Sequence, residues 1–358
     1  MTMPPRTPVP SDRVLNLAPP QRRTWLTAVL ATLALACGLP ARGATPIRAL
    51  PAEPAPEPAG LWPSRPVTMV VPFPAGGAND VFALPLAAEF ASLTGQTLRL
   101  QYRDGLGGTR GASVAAHAAP DGYTLFMGGV HHAIAATLRP GLDYLLDADF
   151  VPLALLATMP QVLVVDPARF PGDFASLVDK LHIYPGRYSY GSAGNGTSHH
   201  IAGELFRRAM RARILHTPFR GSGQALAALV AGNVDMVFCD VGSAVPHIRA
   251  GRLKALMVSG SQRNPAIPNV PTAAELEIPG FDGGTWYGLW APKGTPVDVR
   301  TRIIDVVQRA SDTQAIQIAW MDAGAEFPAL TGKAFGDFVE AEMRRWAAVI
   351  KAKGITLE

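Results

Sequence analysis

The stretch PFPAGGAND occupies residues 72–80 and directly follows an apolar run, VTMVV, at 67–71. A second stretch, GSAGNGTSHH at 191–200, follows a shorter β-type run and also leads into a helical pattern. Neither stretch contains a lysine or an arginine. A strand that turns through glycines into a helix exposes backbone N–H groups and the positive end of the helix dipole. Two such helix starts, facing each other from two lobes, predict a site that holds a small anion without a formal positive charge.

Strand-like apolar runs alternate with helical patterns along the chain. Strands are predicted at 67–71, 97–102, 123–127, 161–165, 188–190, 214–219, 234–238, 255–259 and 286–291, and helices at 81–92, 112–119, 174–181, 198–211, 225–230, 296–311 and 333–353. This alternation predicts an α/β fold with a largely parallel sheet and helices on both of its faces. The Leu84-Pro85 pair predicts an irregular start of the first helix.

The first 43 residues have the pattern of a secretory signal peptide. Arg22-Arg23 precedes an apolar stretch at 25–39, which is shorter than the about 20 residues that span a bilayer. The arginine pair also has some twin-arginine character, and residues 34–37 loosely match a lipoprotein box with Cys37 as the lipidated residue. We therefore predict export to the periplasm, with a lipid anchor or a retained leader as alternatives. The Pro/Ala/Glu tract at 44–60 is expected to be a linker.

The net charge of +4 comes from this leader. It holds five arginines and one aspartate, so the rest of the chain is close to neutral. A neutral chain lacks the positive charge that nucleic-acid binding requires, so no nucleic-acid partner is expected. Of the two cysteines only Cys239 follows the leader, so no disulfide is expected within the mature chain and its stability must come from a hydrophobic core.

Cofactor, metal and catalytic sites have little support in the sequence. The first loop does not match G-x-G-x-x-G, and no phosphate-binding G-x-x-x-x-G-K-[ST] motif occurs. His131-His132 and His199-His200 are adjacent pairs without a nearby cysteine or carboxylate cluster, so no metal is expected. The G-x-S-x-G turn of many hydrolases is also missing, which disfavours a Ser-His-Asp enzyme.

The second loop concentrates groups that can hydrogen-bond to a carboxylate. Ser192, Asn195, Thr197, Ser198 and His200 lie within nine residues. In the first loop Asn79 is the expected polar ligand contact, whereas Asp80 is expected to accept backbone N–H bonds as a helix cap. A polar turn with an ordinary helix cap is the alternative for the second loop taken by itself.

Many segments, in the same order, are similar to a known family. They are WPSRP at 62–66, PFPAGGAND at 72–80, APDGYTL at 119–125, YGSAGNGTSHHIAGELF at 190–206, FRG at 219–221, AGNVD at 231–235, PHI at 246–248 and WYGL at 286–289. On these segments the chain resembles the Bug-type periplasmic solute-binding receptors of tripartite tricarboxylate transport systems. The resemblance covers about residues 61–356.

The resemblance implies a two-lobed periplasmic binding protein, type II-like, in which each lobe is a mostly parallel sheet flanked by helices. Two crossover strands would join the lobes, with lobe 1 at 61–163 and 288–358 and lobe 2 at 164–287. Such a receptor captures a small carboxylate, for example a dicarboxylate, a tricarboxylate or an amino acid, and hands it to an inner-membrane permease. A monomer without a cofactor is expected. A sensor protein or, less in keeping with the sequence, a periplasmic ester hydrolase are the alternatives.

The residue types in the two loops and the family resemblance together select sixteen ligand-binding candidates. They are Phe73, Gly76, Gly77, Ala78, Asn79, Asp80, His132, Ser192, Asn195, Thr197, Ser198, His200, Phe219, Cys239, Asp240 and Trp286. Phe73 and Trp286 are expected to wall the cleft. Cys239 stands where the family usually has aspartate, with Asp240 next, and His131-His132 stands where the family commonly has small polar residues. The identity of the ligand is therefore expected to depend on these positions.

Overall fold

A computed structural model describes residues 62–281 and 283–357, which belong to one compact unit, Ala55–Glu358. The leader, Cys37 and the linker lie outside the described residues. The strands are β1 (Val67–Val71), β2 (Leu98–Tyr102), β3 (Thr124–Gly129), β4 (Phe150–Met159), β5 (Gln161–Val165), β6 (Ser189–Ser192), β7 (Leu215–Pro218), β8 (Met236–Asp240), β9 (Lys254–Val258) and β10 (Thr285–Pro292). The helices are α1 (Ala78–Thr94), α2 (Thr109–Ala116), α3 (Val130–Leu138), α4 (Phe174–Ile183), α5 (Ser198–Ala209), α6 (Ser222–Val230), α7 (Val241–Arg249), α8 (Val297–Ser311), α9 (Gln314–Asp322) and α10 (Gly332–Lys353).

The ten strands form two five-stranded sheets, one in each lobe. Their orders are β2-β1-β3-β10-β4 and β7-β6-β8-β5-β9. In the first sheet β10 runs antiparallel to both of its neighbours, and in the second sheet β5 does so. Each sheet therefore has four strands in one direction and one reversed strand. The α/β architecture with two lobes is confirmed, and the sheets are mixed.

The chain passes between the lobes at two neighbouring segments. The first passage is Pro160, which separates β4 from β5, and the second lies between β9 and β10. The two segments bond to each other, because the Gln161 N–H donates to the Ser259 hydroxyl over 2.9 Å. A side chain at Gly284 would meet the Met159 carbonyl oxygen, so glycine allows this close approach. The lobe boundaries predicted above fall inside β5 and β10, a few residues from these passages, and they stay a prediction.

Five strands are each followed by a helix, and the N-termini of these helices lie at the carboxyl ends of the strands. In the first sheet β1 and β3 lead into α1 and α3; in the second β6, β7 and β8 lead into α5, α6 and α7. The strands that carry these helices are mostly continuous apolar runs, such as VTMVV and MVFCD, as expected for strands covered on both faces. The carboxyl ends of parallel strands are the usual place for a ligand in such sheets.

The irregular start of the first helix that Leu84-Pro85 predicted was wrong. Helix α1 runs from Ala78 to Thr94 with Pro85 inside it, so the proline costs one backbone hydrogen bond without breaking the helix. Within 62–281 and 283–357, no helix has both the length and the apolar character needed to cross a membrane.

Candidate functional site

The two lobes touch through loops at the ends of their parallel strands. A side chain at Gly223, at the start of α6, would lie 2.8 Å from the Gly76 carbonyl oxygen of the first loop. On the other side, the Arg139 guanidinium donates to the Asn195 carbonyl of the second loop over 2.9 Å. Gly107 also packs against that carbonyl oxygen. We call the region between the loops 72–80 and 192–200 the cleft.

In the first loop, one of the backbone N–H groups expected to bind an anion is already hydrogen-bonded to a carboxylate of the protein. The Asp80 carboxylate accepts the Gly76 N–H over 2.7 Å and the Tyr102 hydroxyl over 3.0 Å. Burial and this carboxylate raise the pKa of Tyr102 to about 12. Asp80 thus accepts a backbone N–H as expected, but it braces the loop, and Gly77 is the N-cap residue. The Gly76 N–H is therefore not available to a ligand, while α1 begins at Ala78 and leaves its first N–H groups without helical partners.

In the second loop most of the expected contact residues hold the turn itself. The Ser192 hydroxyl accepts the Gly194 N–H over 3.1 Å and lies 2.7 Å from His216 Nε2. Thr197 is the N-cap of α5, and its hydroxyl donates to the Gly194 carbonyl over 2.7 Å. His200 Nδ1 accepts the Gly196 N–H over 3.2 Å. These three side chains shape the loop, so their hydrogen-bonding groups are largely engaged before any ligand arrives.

His200 also faces away from the centre of the cleft. Its ring stacks on His216, with centroids 4.3 Å apart. It lines an open cavity of about 720 Å³ together with Arg207, Arg208 and Arg213, next to the C-terminal residues 354–356. Burial first, and the charge of His200 second, lower the pKa of His216 to about 4.

The two histidines at the start of α3 have different surroundings. His132 Nδ1 accepts the Gly129 N–H over 3.1 Å, and its Nε2 lies 3.3 Å from the Gly108 carbonyl oxygen. Burial lowers the pKa of His132 to about 4, so the ring is neutral and donates from Nε2 to Gly108. His131 is equally buried, yet neither of its ring nitrogens has a hydrogen-bond partner among the described residues. His131 packs edge-on to Phe73, with ring centroids 4.9 Å apart.

Asp240 lies at the end of β8 opposite these groups. Its Oδ2 accepts the Tyr287 hydroxyl over 2.7 Å and lies 3.2 Å from His199 Nε2. Despite complete burial, the nearby His199 and the hydroxyls of Thr285 and Tyr287 lower the pKa of Asp240, so the carboxyl is ionised at neutral pH. Burial lowers the pKa of His131 well below its usual value, and the charges of His132 and His199 lower it further, whereas Asp240 opposes this. Asp240, His199 and His131 are therefore electrostatic neighbours, and His131 is neutral.

Several buried polar atoms at these helix starts have no hydrogen-bond partner in the part of the chain that the structure describes. They are Asn79 Nδ2 on α1, both ring nitrogens of His131 on α3, Ser198 Oγ and Nδ1 of His199 on α5, and Asp240 Oδ1 before α7. Buried polar groups are nearly always paired, since an unmade hydrogen bond costs about 1–3 kcal/mol. Such a concentration at one end of both sheets indicates a site for a polar ligand.

Three of the expected contacts lie elsewhere. Cys239 is on the face of β8 opposite Asp240 and packs in the hydrophobic core with Val162 and Val237, where burial raises the pKa of its thiol. Trp286 faces α10, and its Nε1 donates to Glu342 over 2.9 Å. Phe219 packs against Gly191 behind β6. Cys239 is thus a core residue, and Trp286 does not wall the cleft beside Phe73.

The structure adds three residues that the candidate set lacked: His131, His199 and Tyr287. Each is adjacent in sequence to a residue in that set, namely His132, His200 and Trp286. Neighbouring residues on a helix or a strand point in different directions, so a motif match identifies the segment without identifying the side chain that enters the cleft. The adjacent histidine pairs were the available signal.

Known proteins share both the sequence and the architecture of this chain. The model of the tripartite tricarboxylate transporter family receptor matches residues 83–355. Among solved structures, MatC from Rhodopseudomonas palustris with bound malate is 37% identical, with a TM-score of 0.77 over 81% of this chain and 100% of that chain. The R. palustris protein Rpa4515 with adipate is 31% identical, with a TM-score of 0.79 over 82% and 99%. The periplasmic binding protein BugD is 29% identical, with a TM-score of 0.80 over 83% and 100%. The chain belongs to the tripartite tricarboxylate transporter family of receptors.

Proposed function

We propose that this protein binds a small organic carboxylate in the cleft and delivers it to a permease of the inner membrane. The observation that carries the proposal is the pair of buried, unpartnered donors, Asn79 Nδ2 and Ser198 Oγ, in the first turns of α1 and α5. Both donors lie beside backbone N–H groups that a helix start leaves unpaired, and the helix dipole favours an anion there. The malate and adipate of the two structural relatives support a carboxylate as the anion.

The absence of lysine and arginine from both loops fits a ligand that must be released again. Backbone N–H groups, a hydroxyl and an amide stabilise a carboxylate by directed hydrogen bonds, without the strong ion pair of an arginine fork. Closing the lobes would bury the ligand, and opening at the Pro160 and Gly284 passages would release it.

A thermal-shift screen against mono-, di- and tricarboxylates, with neutral and cationic compounds as controls, tests the proposal. A ligand at 100 times its Kd adds about 2.7 kcal/mol to the free energy of unfolding. Ser198→Ala should weaken the response to the best carboxylate, whereas the matched Ser113→Ala, whose hydroxyl bonds to Asp143 outside the cleft, should not. Stabilisation only by cationic or neutral compounds would rule out a carboxylate receptor.

A non-catalytic role is part of the same proposal. Among the described residues, Ser192 Oγ and His216 Nε2, 2.7 Å apart, form a pair that suggests a nucleophile and its base. The purified protein should return every bound carboxylate or carboxylate ester unchanged after prolonged incubation. Ester turnover that disappears in Ser192→Ala would establish a hydrolase instead.

The cellular setting follows from the leader and the family. We propose an exported, monomeric receptor of the periplasm, with the permease of a tripartite tricarboxylate system as its partner. Fractionation of cells that express the full chain, followed by size-exclusion chromatography of the released protein, checks both statements. Retention in the membrane that depends on Cys37 would indicate the lipoprotein form.

A further inference from the structure

The carboxylate of Asp240 raises a question that a simple anion receptor does not answer. It is completely buried and ionised, and it lies among the helix starts that are proposed to receive an anion. A second carboxylate placed against it would be repelled, and this repulsion is strong where water is excluded. Asp240 is therefore expected to contact a group of the ligand other than its carboxylate.

The two oxygens of Asp240 are used unequally. Oδ2 holds the Tyr287 hydroxyl at 2.7 Å and has His199 Nε2 at 3.2 Å. Oδ1 makes no hydrogen bond of regular geometry to the residues that the structure describes, and the nearest donor is the Thr285 hydroxyl, which is close enough to hydrogen-bond to the carboxylate and to lower its pKa. A buried carboxylate oxygen without a donor is costly, so Oδ1 is suited to a donor that arrives with the ligand.

The histidines around Asp240, one from each lobe, have ring nitrogens that make no hydrogen bond to the described residues. Both ring nitrogens of buried His131, from the first lobe, have no hydrogen-bond partner in the described part of the chain, and neither does Nδ1 of His199 from the second lobe, whose Nε2 faces Asp240 Oδ2 at 3.2 Å. A neutral imidazole offers one donor and one acceptor, so it can bind a hydroxyl as well as a carboxylate oxygen. Tyr287, on β10 of the first sheet, holds Asp240, at the end of β8 of the second sheet, so this group of four residues is drawn from both lobes.

We propose that Asp240, assisted by His131 and His199, is a subsite for a hydrogen-bond donor on the ligand, so that the preferred ligand is a hydroxy- or amino-substituted carboxylate. This inference rests on the proposed carboxylate site, because the carboxylate end is assigned to Asn79, Ser198 and the starts of α1 and α5. A hydroxyl and an ammonium share the donor chemistry that Oδ1 accepts. The unsubstituted acid leaves Oδ1 unpaired and is bound more weakly.

Isothermal titration calorimetry with matched acids tests the subsite. Succinate, malate and aspartate differ only in a hydrogen, a hydroxyl or an ammonium at one carbon, as do propionate, lactate and alanine. In at least one series the hydroxy or amino acid should bind roughly 5- to 150-fold more tightly than the unsubstituted acid, because the unsubstituted acid leaves a buried acceptor without its donor. A preference for the hydroxyl member or the ammonium member supports the subsite in either case and identifies the donor.

The variant Asp240→Asn should remove most of this preference by weakening the substituted acid and sparing the unsubstituted one. Asp337→Asn, an exposed carboxylate on α10, is the matched control and should keep the preference. If Asp240→Asn does not fold, His131→Ser provides a second variant, and the wild-type comparison needs no variant at all. Equal affinity for the three members of every series would overturn the subsite while leaving the carboxylate receptor intact, whereas no binding of any acid would overturn the receptor as well.

Discussion

The two lobes use a histidine pair in parallel ways. His131-His132 begins α3 in the first lobe, and His199-His200 begins α5 in the second. In both pairs the second histidine accepts a backbone N–H from a glycine, Gly129 or Gly196, and so shapes the turn before the helix. The first histidine of each pair makes no hydrogen bond to a backbone group of the described residues and is a neighbour of Asp240, which His199 Nε2 approaches to 3.2 Å.

The difference between the two members of a pair separates folding from function. A polar group that bonds to other groups of the protein stabilises the fold, whereas a buried polar group without such partners is a candidate for contact with a ligand. By this criterion Ser192, Thr197, His132 and Asp80 support the loops, and Asn79, Ser198, His131 and His199 are the groups that we propose face the ligand. The four predictions below test this division, in order of decreasing effect.

The largest effect should come from acid. Burial lowers the pKa of His131 and takes that of His132 to about 4, so the unfolded chain binds more protons than the folded protein below the ordinary histidine pKa of about 6.5. The free energy of unfolding should therefore have its full value at pH 7 and decrease as the pH is lowered from 6.5 to 4. For His132 alone the fall is about 3 kcal/mol, and His131 adds to it. Urea unfolding at pH 7.5, 5.5 and 4.5 measures it, and a flat profile over this range would contradict the buried neutral rings.

Substituting the two histidines one at a time should separate their roles. His132→Ala removes the hydrogen bonds to Gly129 and Gly108 and the packing against Phe126, and it should lower the free energy of unfolding by about 3 kcal/mol. His131→Ala breaks no hydrogen bond and should cost clearly less, while reducing ligand affinity. Urea unfolding without ligand and calorimetry with ligand give the two quantities. Equal losses of stability would mean that the division between the pairs is wrong.

Blocking lobe closure should reduce affinity without reducing stability. A methyl group at Gly223 would lie 2.8 Å from the Gly76 carbonyl oxygen, and overpacking of this kind costs about 1–3 kcal/mol. Gly223→Ala should therefore weaken carboxylate binding by roughly 5- to 150-fold, while the ligand-free melting temperature holds or rises because alanine favours the helix. The exposed neighbour Gln224→Ala is the control. Unchanged affinity in Gly223→Ala would show that the first loop does not close onto α6 when ligand binds.

The smallest effect concerns the link between α3 and the second loop. Arg139→Met removes the hydrogen bond to the Asn195 carbonyl and should weaken binding by about 1 kcal/mol, or roughly fivefold. The same substitution at Arg302, exposed on α8, should leave binding unchanged. A slower association rate with an unchanged dissociation rate would contradict a role in holding the closed state.

The elements that the sequence predicted and those that it missed have different physical characters. Strands β1 and β5 match the predicted bounds, because both are short apolar runs between turn residues. β4 was missed, since FVPLALLATM is continuously apolar and carries a proline, and such a run does not distinguish a strand from a helix. Helix α7 was also missed, because it begins directly after β8 and contains Pro246. Tertiary packing determines both elements.

For the site, local sequence was enough to predict the segments and the class of ligand. Glycines between a strand and a helix, without a nearby positive charge, specify a turn that exposes N–H groups, and this local property needs no tertiary contact. Which side chains face the ligand was decided only by the tertiary structure. His131 and His132, or Cys239 and Asp240, are equivalent as neighbours in a sequence. They become different when one turns toward a glycine or the core and the other toward the opposite lobe. That choice depends on contacts between residues far apart in the chain, such as Asp240 with Tyr287, which are 47 residues apart and which a local pattern does not contain.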